Sequence, residues 1–476
     1  MISHTGRTGA AAHHERAGAP MTDATTGTAA APEAGPAPRI AVIGTGYLGA
    51  THAAAMAALG FDVVGFDTDP EKTRALSLGK VPFYEPGLDA LLSEQVEAGR
   101  LRFTTDVADA VGDADVHFIC VGTPQQPGSN AANLSYVEAA TRAVAEHLTR
   151  DGVIVGKSTV PVGTAARLRE VVAQHAPDGV DAELVWNPEF LREGKAVEDT
   201  LHPDRIVIGG VSERSEALLR RVYARPIAAG APVIVCDLPT AELVKVSANA
   251  FLATKISFIN AVASVCEAAG ADVTVLADAI GLDPRIGRKF LDAGLGFGGG
   301  CLPKDIRALM HRSGELGAYR MAGLLQKVDE INMGQREAVV ALALAACDGS
   351  VLNKSIGVLG AAFKPETDDV RDSPALNVAA ALHLRGAQVK VFDPAASETA
   401  RRTFPTLTYV SSTEDAVEAT DVVLVLTEWK QFVEADPAML AALTPTPRVI
   451  DARGKLDPAA WRAAGWEFRG LGRPTA

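Results

Sequence analysis

Ile40-Ala41-Val42-Ile43-Gly44-Thr45-Gly46-Tyr47-Leu48-Gly49 runs from four apolar residues straight into a G-x-G-x-x-G turn. The apolar run, three of its four residues β-branched, reads as a short buried strand. The glycines allow a tight turn with a helix starting directly behind it. The helical pattern continues to Leu59, and after Gly60 a second strand, Phe61 to Phe66, ends at Asp67. An acid about twenty residues beyond the glycines, in a strand-turn-helix-strand context, is the arrangement that holds a dinucleotide. A pyrophosphate would lie on the helix N-terminus, and Asp67 would accept hydrogen bonds from the adenosine ribose. A 2′-phosphate would be repelled there, so NAD is expected over NADP. The candidate cofactor residues in this unit are Gly44, Gly46, Tyr47, Leu48, Gly49, Asp67 and Lys72.

Reading outward, further strands are expected at Val116 to Val121, Val153 to Val155 and Leu184 to Trp186, with helical segments between them. That alternation predicts a parallel sheet covered on both faces. A helix capped by Thr240 is expected to run through Lys245, Asn249 and Asn260 and to stop near Gly270, followed by more helices up to about Ala346. Then the opening pattern returns. Ile356-Gly357-Val358-Leu359-Gly360 repeats the first strand and turn, Val389 to Asp393 repeats the second strand with its acid, and Asp421 to Thr427 repeats the strand from Asp115. The second copy continues Ala361-Ala362-Phe363-Lys364 and lacks the glycine fingerprint, so it is expected to bind something other than a dinucleotide. The fold class expected is α/β: two doubly wound, Rossmann-like domains joined by a helical central domain with one long helix. The domains are residues 39–236, 237–346 and 347–476, with residues 1–38 a disordered extension. That extension is rich in Ala, Gly, Thr and Pro, and Met21 is an alternative start. Its adjacent His13 and His14 lack further ligands at metal spacing.

The 476 residues exceed what one core fills. The formal net charge of −13 argues against a nucleic-acid or anionic-membrane partner. Five scattered cysteines without C-x-x-C spacing read as reduced thiols, which points to the cytoplasm. No apolar run reaches about 18 residues, so no membrane span is expected. No metal is expected either.

The segment Gly294-Leu295-Gly296-Phe297-Gly298-Gly299-Gly300-Cys301-Leu302-Pro303-Lys304-Asp305 carries the chemistry. Its five glycines would let backbone amides approach a ligand closely. Pro303 suits the first turn of a helix, which puts Cys301 just before a helix N-terminus with Lys304 nearby. Both features favour thiolate. A nucleophilic cysteine beside NAD implies a four-electron oxidation: thiolate adds to an aldehyde, hydride loss gives a thioester, and water releases the acid. Two-electron hydroxyacid oxidation needs no such cysteine, and a non-catalytic sensor of nucleotide sugars needs none of these groups.

Together with Tyr84-Glu85-Pro86-Gly87-Leu88, Val121-Gly122-Thr123-Pro124, Ser158 to Gly163, Asn187 to Gly194, Lys245 to Asn249, and Phe363-Lys364-Pro365 with Arg371, the chain resembles the UDP-glucose/GDP-mannose dehydrogenase family from Arg39 to its C-terminus. The resemblance implies oxidation of UDP-glucose to UDP-glucuronate, with GDP-mannose or UDP-N-acetylmannosamine as alternative substrates of the same chemistry. It implies Cys301 as nucleophile, Lys245 and Asn249 holding the reacting end of the sugar, and Asp305 and Thr159 ordering a water. Glu189 would assist proton transfer and thioester hydrolysis. Thr123, Thr159, Glu193 and Arg371 would face NAD. Phe190, Leu191, Phe290, Gly296, Phe297, Gly298, Phe363, Lys364 and Arg453 would line the nucleotide-sugar site. Arg285 would reach in from a second copy of the chain, so a homodimer through the helical middle is implied. Gly454 stands where many relatives place Asn.

Overall fold

The structure is a computed structural model and describes residues 36–474. Residues 1–35, with His13, His14 and Met21, lie outside the described part, as does most of the expected extension.

The first sheet holds β1 (Ile40–Ile43), β2 (Val63–Phe66), β3 (Leu101–Thr104), β4 (Val116–Ile119), β5 (Gly152–Gly156), β6 (Ala182–Trp186), β7 (Ile206–Gly209) and β8 (Val233–Cys236). Their order is β3-β2-β1-β4-β5-β6-β7-β8. Four residues of β1 show why it lies in the middle. Ile40 and Val42 belong to one core cluster, and Ala41 and Ile43 to another. Alternate side chains leave a strand on opposite faces, so a strand apolar throughout needs cover on both. The parallel pattern holds as far as β6. It is broken at the next pair, where Trp186 meets Gly209 antiparallel, and β7 and β8 then run parallel to each other. The expectation of a wholly parallel sheet is corrected there.

The second sheet holds β9 (Ser355–Leu359), β10 (Gln388–Phe392), β11 (Thr408–Tyr409), β12 (Val422–Val425), β13 (Arg448–Asp451) and β14 (Glu467–Gly470). Its order, β11-β10-β9-β12-β13-β14, repeats the winding of β1 to β6, and every pair is parallel.

Between the sheets run the helices Leu238–Ala269, Val273–Gly281, Leu302–Glu315 and Tyr319–Ala346. The first, of 32 residues, spans roughly 48 Å at about 1.5 Å per residue. It is capped by Asp237, whose carboxylate accepts from the Thr240 N–H at 2.7 Å, and not by Thr240 as expected. The Asp three residues upstream satisfies the N–H of Thr240 itself, so the helix gains its first turn earlier. It ends at Gly270 in the left-handed region, φ 71°. By length and composition this helix could cross a membrane, which departs from the sequence expectation; its buried face nevertheless carries Glu242, Lys245, Asn249 and Asn260. The opposite face exposes Leu243, Phe251, Phe258 and Val265. Among the described residues the five cysteines are free, and no group of three or more His, Cys, Asp or Glu is placed to hold a metal ion.

Candidate active site

The three fingerprint glycines do different jobs. Gly44 has φ 90°, and a β-carbon on it would lie 2.7 Å from the Val121 side chain. On Gly49 it would lie 1.8 Å from the Gly44 carbonyl oxygen, so helix and strand pack at backbone distance. On Gly46 it would meet nothing within 4 Å. The helix Tyr47–Ala58 begins there with no side-chain cap and no acid in its first turn. No side chain therefore takes its first N–H groups, which an anionic pyrophosphate requires. Asp67 accepts from Thr45 N (2.9 Å), Thr45 Oγ1 (3.2 Å) and Lys72 Nζ (2.9 Å) on one oxygen and from Asp69 N (3.1 Å) on the other. Burial pushes its carboxyl up, but Lys72 and the two N–H groups outweigh it and hold it below the usual range. A carboxylate offers about four acceptor sites, so the second oxygen keeps one for a ribose hydroxyl. The residues present fit a dinucleotide.

Glu85, assigned no role above, closes this side of the cleft. Its carboxylate accepts from the Tyr47 hydroxyl, from Gly194 N (2.6 Å) and from Ala196 N (2.7 Å). Burial and that carboxylate push the Tyr47 hydroxyl far above its ordinary value, so it remains a donor.

Cys301 is the N-cap of the helix Leu302–Glu315. Around it the long helix assembles an ion pair and an ion-dipole pair one turn apart. Lys245 Nζ lies 3.0 Å from Glu189 Oε1, and Leu191 N donates to the other Glu189 oxygen at 2.7 Å. Asn249 Nδ2 donates to Asp305 Oδ2 at 2.7 Å, and Lys304 Nζ donates to Asp305 Oδ1 at 2.7 Å. Lys304 also reaches Thr123 Oγ1 at 3.3 Å, and Thr123 donates to the Thr159 carbonyl at 2.8 Å. The expectation that Lys304 activates Cys301 is therefore corrected: Lys304 is engaged with Asp305. The Cys301 side chain opens to the cleft, but the protein packed behind it, with Asp305, Glu189 and Glu193, pushes the thiol up to about 12. Lys245 is the cation that opposes this. Lys245 itself is desolvated, yet Glu189, Cys301 and Asp305 hold its pKa above the ordinary value, so it stays charged.

The glycine loop is closely packed on its Cα side. Added β-carbons would strike Asn332 Oδ1 at Gly296 (2.4 Å), the Asp372 carbonyl at Gly298 (2.4 Å), the Phe363 ring at Gly299 (2.8 Å) and the Arg371 guanidinium at Gly300 (2.2 Å). Two buried asparagines pin it. Asn260 accepts from Gly294 N at 2.8 Å, while Asn332 accepts from Phe297 N (2.8 Å) and donates to its carbonyl (3.0 Å). Arg453 ties the loop to the second sheet, donating to the carbonyls of Gly296 (3.0 Å), Phe363 (3.1 Å) and Leu426 (2.6 Å). A polar residue on the buried face of a helix is the sequence signal that marks such pins.

Across the cleft, Glu193 lies 3.2 Å from Arg371, and Lys364 Nζ donates to the Glu193 carbonyl. Burial and Asp369 push the Glu193 carboxyl up to about 7, against Arg371 and Lys364. Phe190 is stacked by Arg205 and lies 5.6 Å from the Lys245 ammonium. Phe290 is exposed with φ 66°, and the exposed Arg285 guanidinium pairs with Asp283.

Residues 38–227 match the NAD binding domain of the UDP-glucose/GDP-mannose dehydrogenase family, residues 239–334 its central domain and residues 357–458 its UDP binding domain. The chain belongs to that family. NAD is the dehydrogenase's cofactor. UDP-glucose 6-dehydrogenase TuaD of Bacillus subtilis is 43% identical over 92% of this chain and 93% of its own length. The structure of a UDP-glucose dehydrogenase from Pyrobaculum islandicum aligns with TM-score 0.85 at 39% identity, covering 94% of this chain and 100% of that one. That of a UDP-D-ManNAc dehydrogenase from Pyrococcus horikoshii aligns with TM-score 0.80 at 29% identity, covering 92% and 100%.

Proposed function

We propose that this dehydrogenase oxidises UDP-glucose to UDP-glucuronate in two successive two-electron steps through a thioester on Cys301. The observation that carries the reading is Cys301 beside the Lys245–Glu189 and Asn249–Asp305 pairs. NAD, when bound, accepts one hydride in each oxidation. Lys245 stabilises oxygen charge that develops at C6. Asp305 and Thr159 order a water that takes the C6 hydroxyl proton. Because its surroundings hold Cys301 as a thiol, its proton passes by way of Asp305 to the aldehyde oxygen as sulfur bonds to the aldehyde carbon, which gives the thiohemiacetal. After the second oxidation, Glu189 removes a proton from the water that opens the thioester.

Residues 39–236 hold NAD, with Glu193, Thr123 and Arg371 towards the nicotinamide. Residues 347–476 hold the nucleotide through Phe363, Lys364 and Arg453, with Phe190, Leu191 and Gly296 to Gly298 completing the sugar pocket. Residues 237–346 join two copies in a cytoplasmic homodimer. The exposed apolar face of the long helix supports that pairing, and it would bring Arg285 and Phe290 to the partner's site. The same chemistry on UDP-N-acetylmannosamine is the second reading, favoured by the likeness to the Pyrococcus horikoshii structure.

Running limiting UDP-glucose to completion tests the reading. Two NADH and one carboxylate per sugar are expected, and Cys301→Ala should form no acid. One NADH with a free aldehyde would overturn it, while no NADH from UDP-glucose but two from another nucleotide sugar would change the substrate alone.

A further inference from the structure

Alongside the segment Asn187 to Leu191 lies a cavity of about 50 Å³. Glu189, Lys157 and Tyr223 line it, as does His52 from the helix Tyr47–Ala58, and its outer wall includes exposed Asp204. His52 is 1% exposed, and neither of its ring nitrogens meets a hydrogen-bonding group of the protein. Phe118 packs edge-on against the ring at 4.4 Å. Burial, with Lys157 second, holds the imidazole pKa well below its ordinary value, so the ring is neutral and offers one donor and one acceptor.

Lys157 is equally unusual. Its ammonium is buried, and among the described residues no carboxylate stands within ion-pairing distance of it. It donates to Asn187 Oδ1 (3.1 Å) and Tyr223 Oη (3.4 Å). The Tyr223 hydroxyl also donates to Asn187 Oδ1 at 2.5 Å, and Asn187 Nδ2 donates to the Val207 carbonyl at 2.7 Å. Two of the ammonium's three N–H groups are thereby used. Burial holds its pKa below the ordinary value, with the Lys245 ammonium acting the same way and the Glu189 carboxylate opposing. A buried cation without a counter-charge and a buried ring with two unmet nitrogens are both costly in a dry core. Water in a polar cavity of this size satisfies both.

We propose that this cavity is a water-filled proton exit for Glu189, with His52 and Lys157 as its inner wall. The proposal rests on Glu189 acting as base in thioester hydrolysis. In that step the water oxygen bonds to the acyl carbon and the C–S bond breaks with its electron pair going to sulfur; one water proton passes to the Glu189 carboxylate, and the other, from the acid that forms, returns Cys301 to the thiol. Glu189 must lose this proton before the next turnover. Cavity water accepts it and hands it outward to solvent past Asp204, and the carboxylate is restored. His52 and Lys157 touch neither sugar nor cofactor in this scheme; they are positioning residues for the water.

Rapid mixing of enzyme, NAD and UDP-glucose, followed by NADH absorbance and by intact-mass detection of the acyl-enzyme after quenching, tests the exit. His52→Phe keeps the ring and removes both nitrogens. It should leave the first hydride transfer and both KM values within about twofold, lengthen the acyl-enzyme lifetime about tenfold, and enlarge the slowing in D2O. His52→Gln should restore part of the rate. Tyr223→Phe, which keeps the ring and removes the hydroxyl, should lengthen the lifetime about threefold, and it decides the matter if His52→Phe does not fold. Unchanged acyl-enzyme lifetime in these variants overturns the exit. So does a fall of every step and both KM values in the same proportion, which marks a purely structural cluster. Glu189→Gln separates the two readings. If it too leaves the lifetime unchanged, Glu189 is not the base; if it alone lengthens the lifetime, only the exit fails.

Discussion

The two sheets wind the same way and end their second strands on the same residue type, yet they treat that residue oppositely. Asp67 after β2 has an acceptor site left on one oxygen, beside a glycine turn that leads straight into an uncapped helix. Asp393 after β10 is 2% exposed and fully engaged. It accepts from Ala361 N (2.7 Å), Ala362 N (2.9 Å) and Trp429 Nε1 (3.1 Å) on one oxygen, and from Ala395 N (3.0 Å) and Ala396 N (2.8 Å) on the other. Even the turn glycines correspond: a β-carbon on Gly44 would strike Val121 and one on Gly360 would strike Thr427, each on the neighbouring strand's exit. What differs is the next segment. After Gly360 no helix begins until Pro374, and Phe363 instead lies on the cysteine loop. A shared winding therefore does not confer a shared ligand. The first copy leaves its polar groups for a dinucleotide, and the second uses them on its own backbone.

If that contrast is right, Asp393→Ala should have the largest effect. Five N–H groups would lose a buried charged acceptor, a cost of about 3–5 kcal/mol. Urea unfolding followed by tryptophan fluorescence would show it, with NAD affinity of the folded fraction unchanged. Asp67→Ala should do the reverse, weakening NAD binding about tenfold or more and narrowing the preference over NADP, read as KM for each cofactor. Equal effects of the two substitutions on NAD would break the comparison. Lys364→Ala sharpens it from the other copy. UDP affinity by calorimetry should fall about tenfold while NAD affinity holds.

The smallest effect concerns Glu193, where the two halves meet across the Arg371 contact. Its folded pKa of about 7 exceeds the ordinary carboxylate value of about 4.3. Between those values the unfolded chain has already lost a proton that the folded chain keeps. The charge therefore costs the folded state progressively as pH rises through this window. Glu193→Gln removes that cost and should stabilise the protein by about 1 kcal/mol at pH 8, and by less at pH 5, measured by thermal melts.

Much of the site was legible because its signals are local. Gly44 to Gly49, Asp67, and the spacing of Lys245 and Asn249 on one helix face each follow from a few neighbouring residues. Other features were not. Strands β3, β7 and β8 were missed, and the reversal at Trp186 and Gly209 is a matter of pairing between distant segments. The Thr240 cap failed to a competing Asp237 three residues earlier.

By itself the sequence determined the repeated strand-turn-helix winding, the NAD-type fingerprint and a cysteine at a helix N-terminus. Those depend on residue size, backbone freedom and periodicity within about twenty residues. Only the tertiary structure decided what the charges do. Lys245 is paired with Glu189, and burial together with carboxylates from separate segments holds Cys301 as a thiol. It also decided that the loop glycines serve close packing against Asn332, Phe363, Arg371 and Asp372. The physical reason is that Coulomb and contact forces act through space between residues the chain separates by up to a hundred or more positions, and no local pattern encodes which of them will meet.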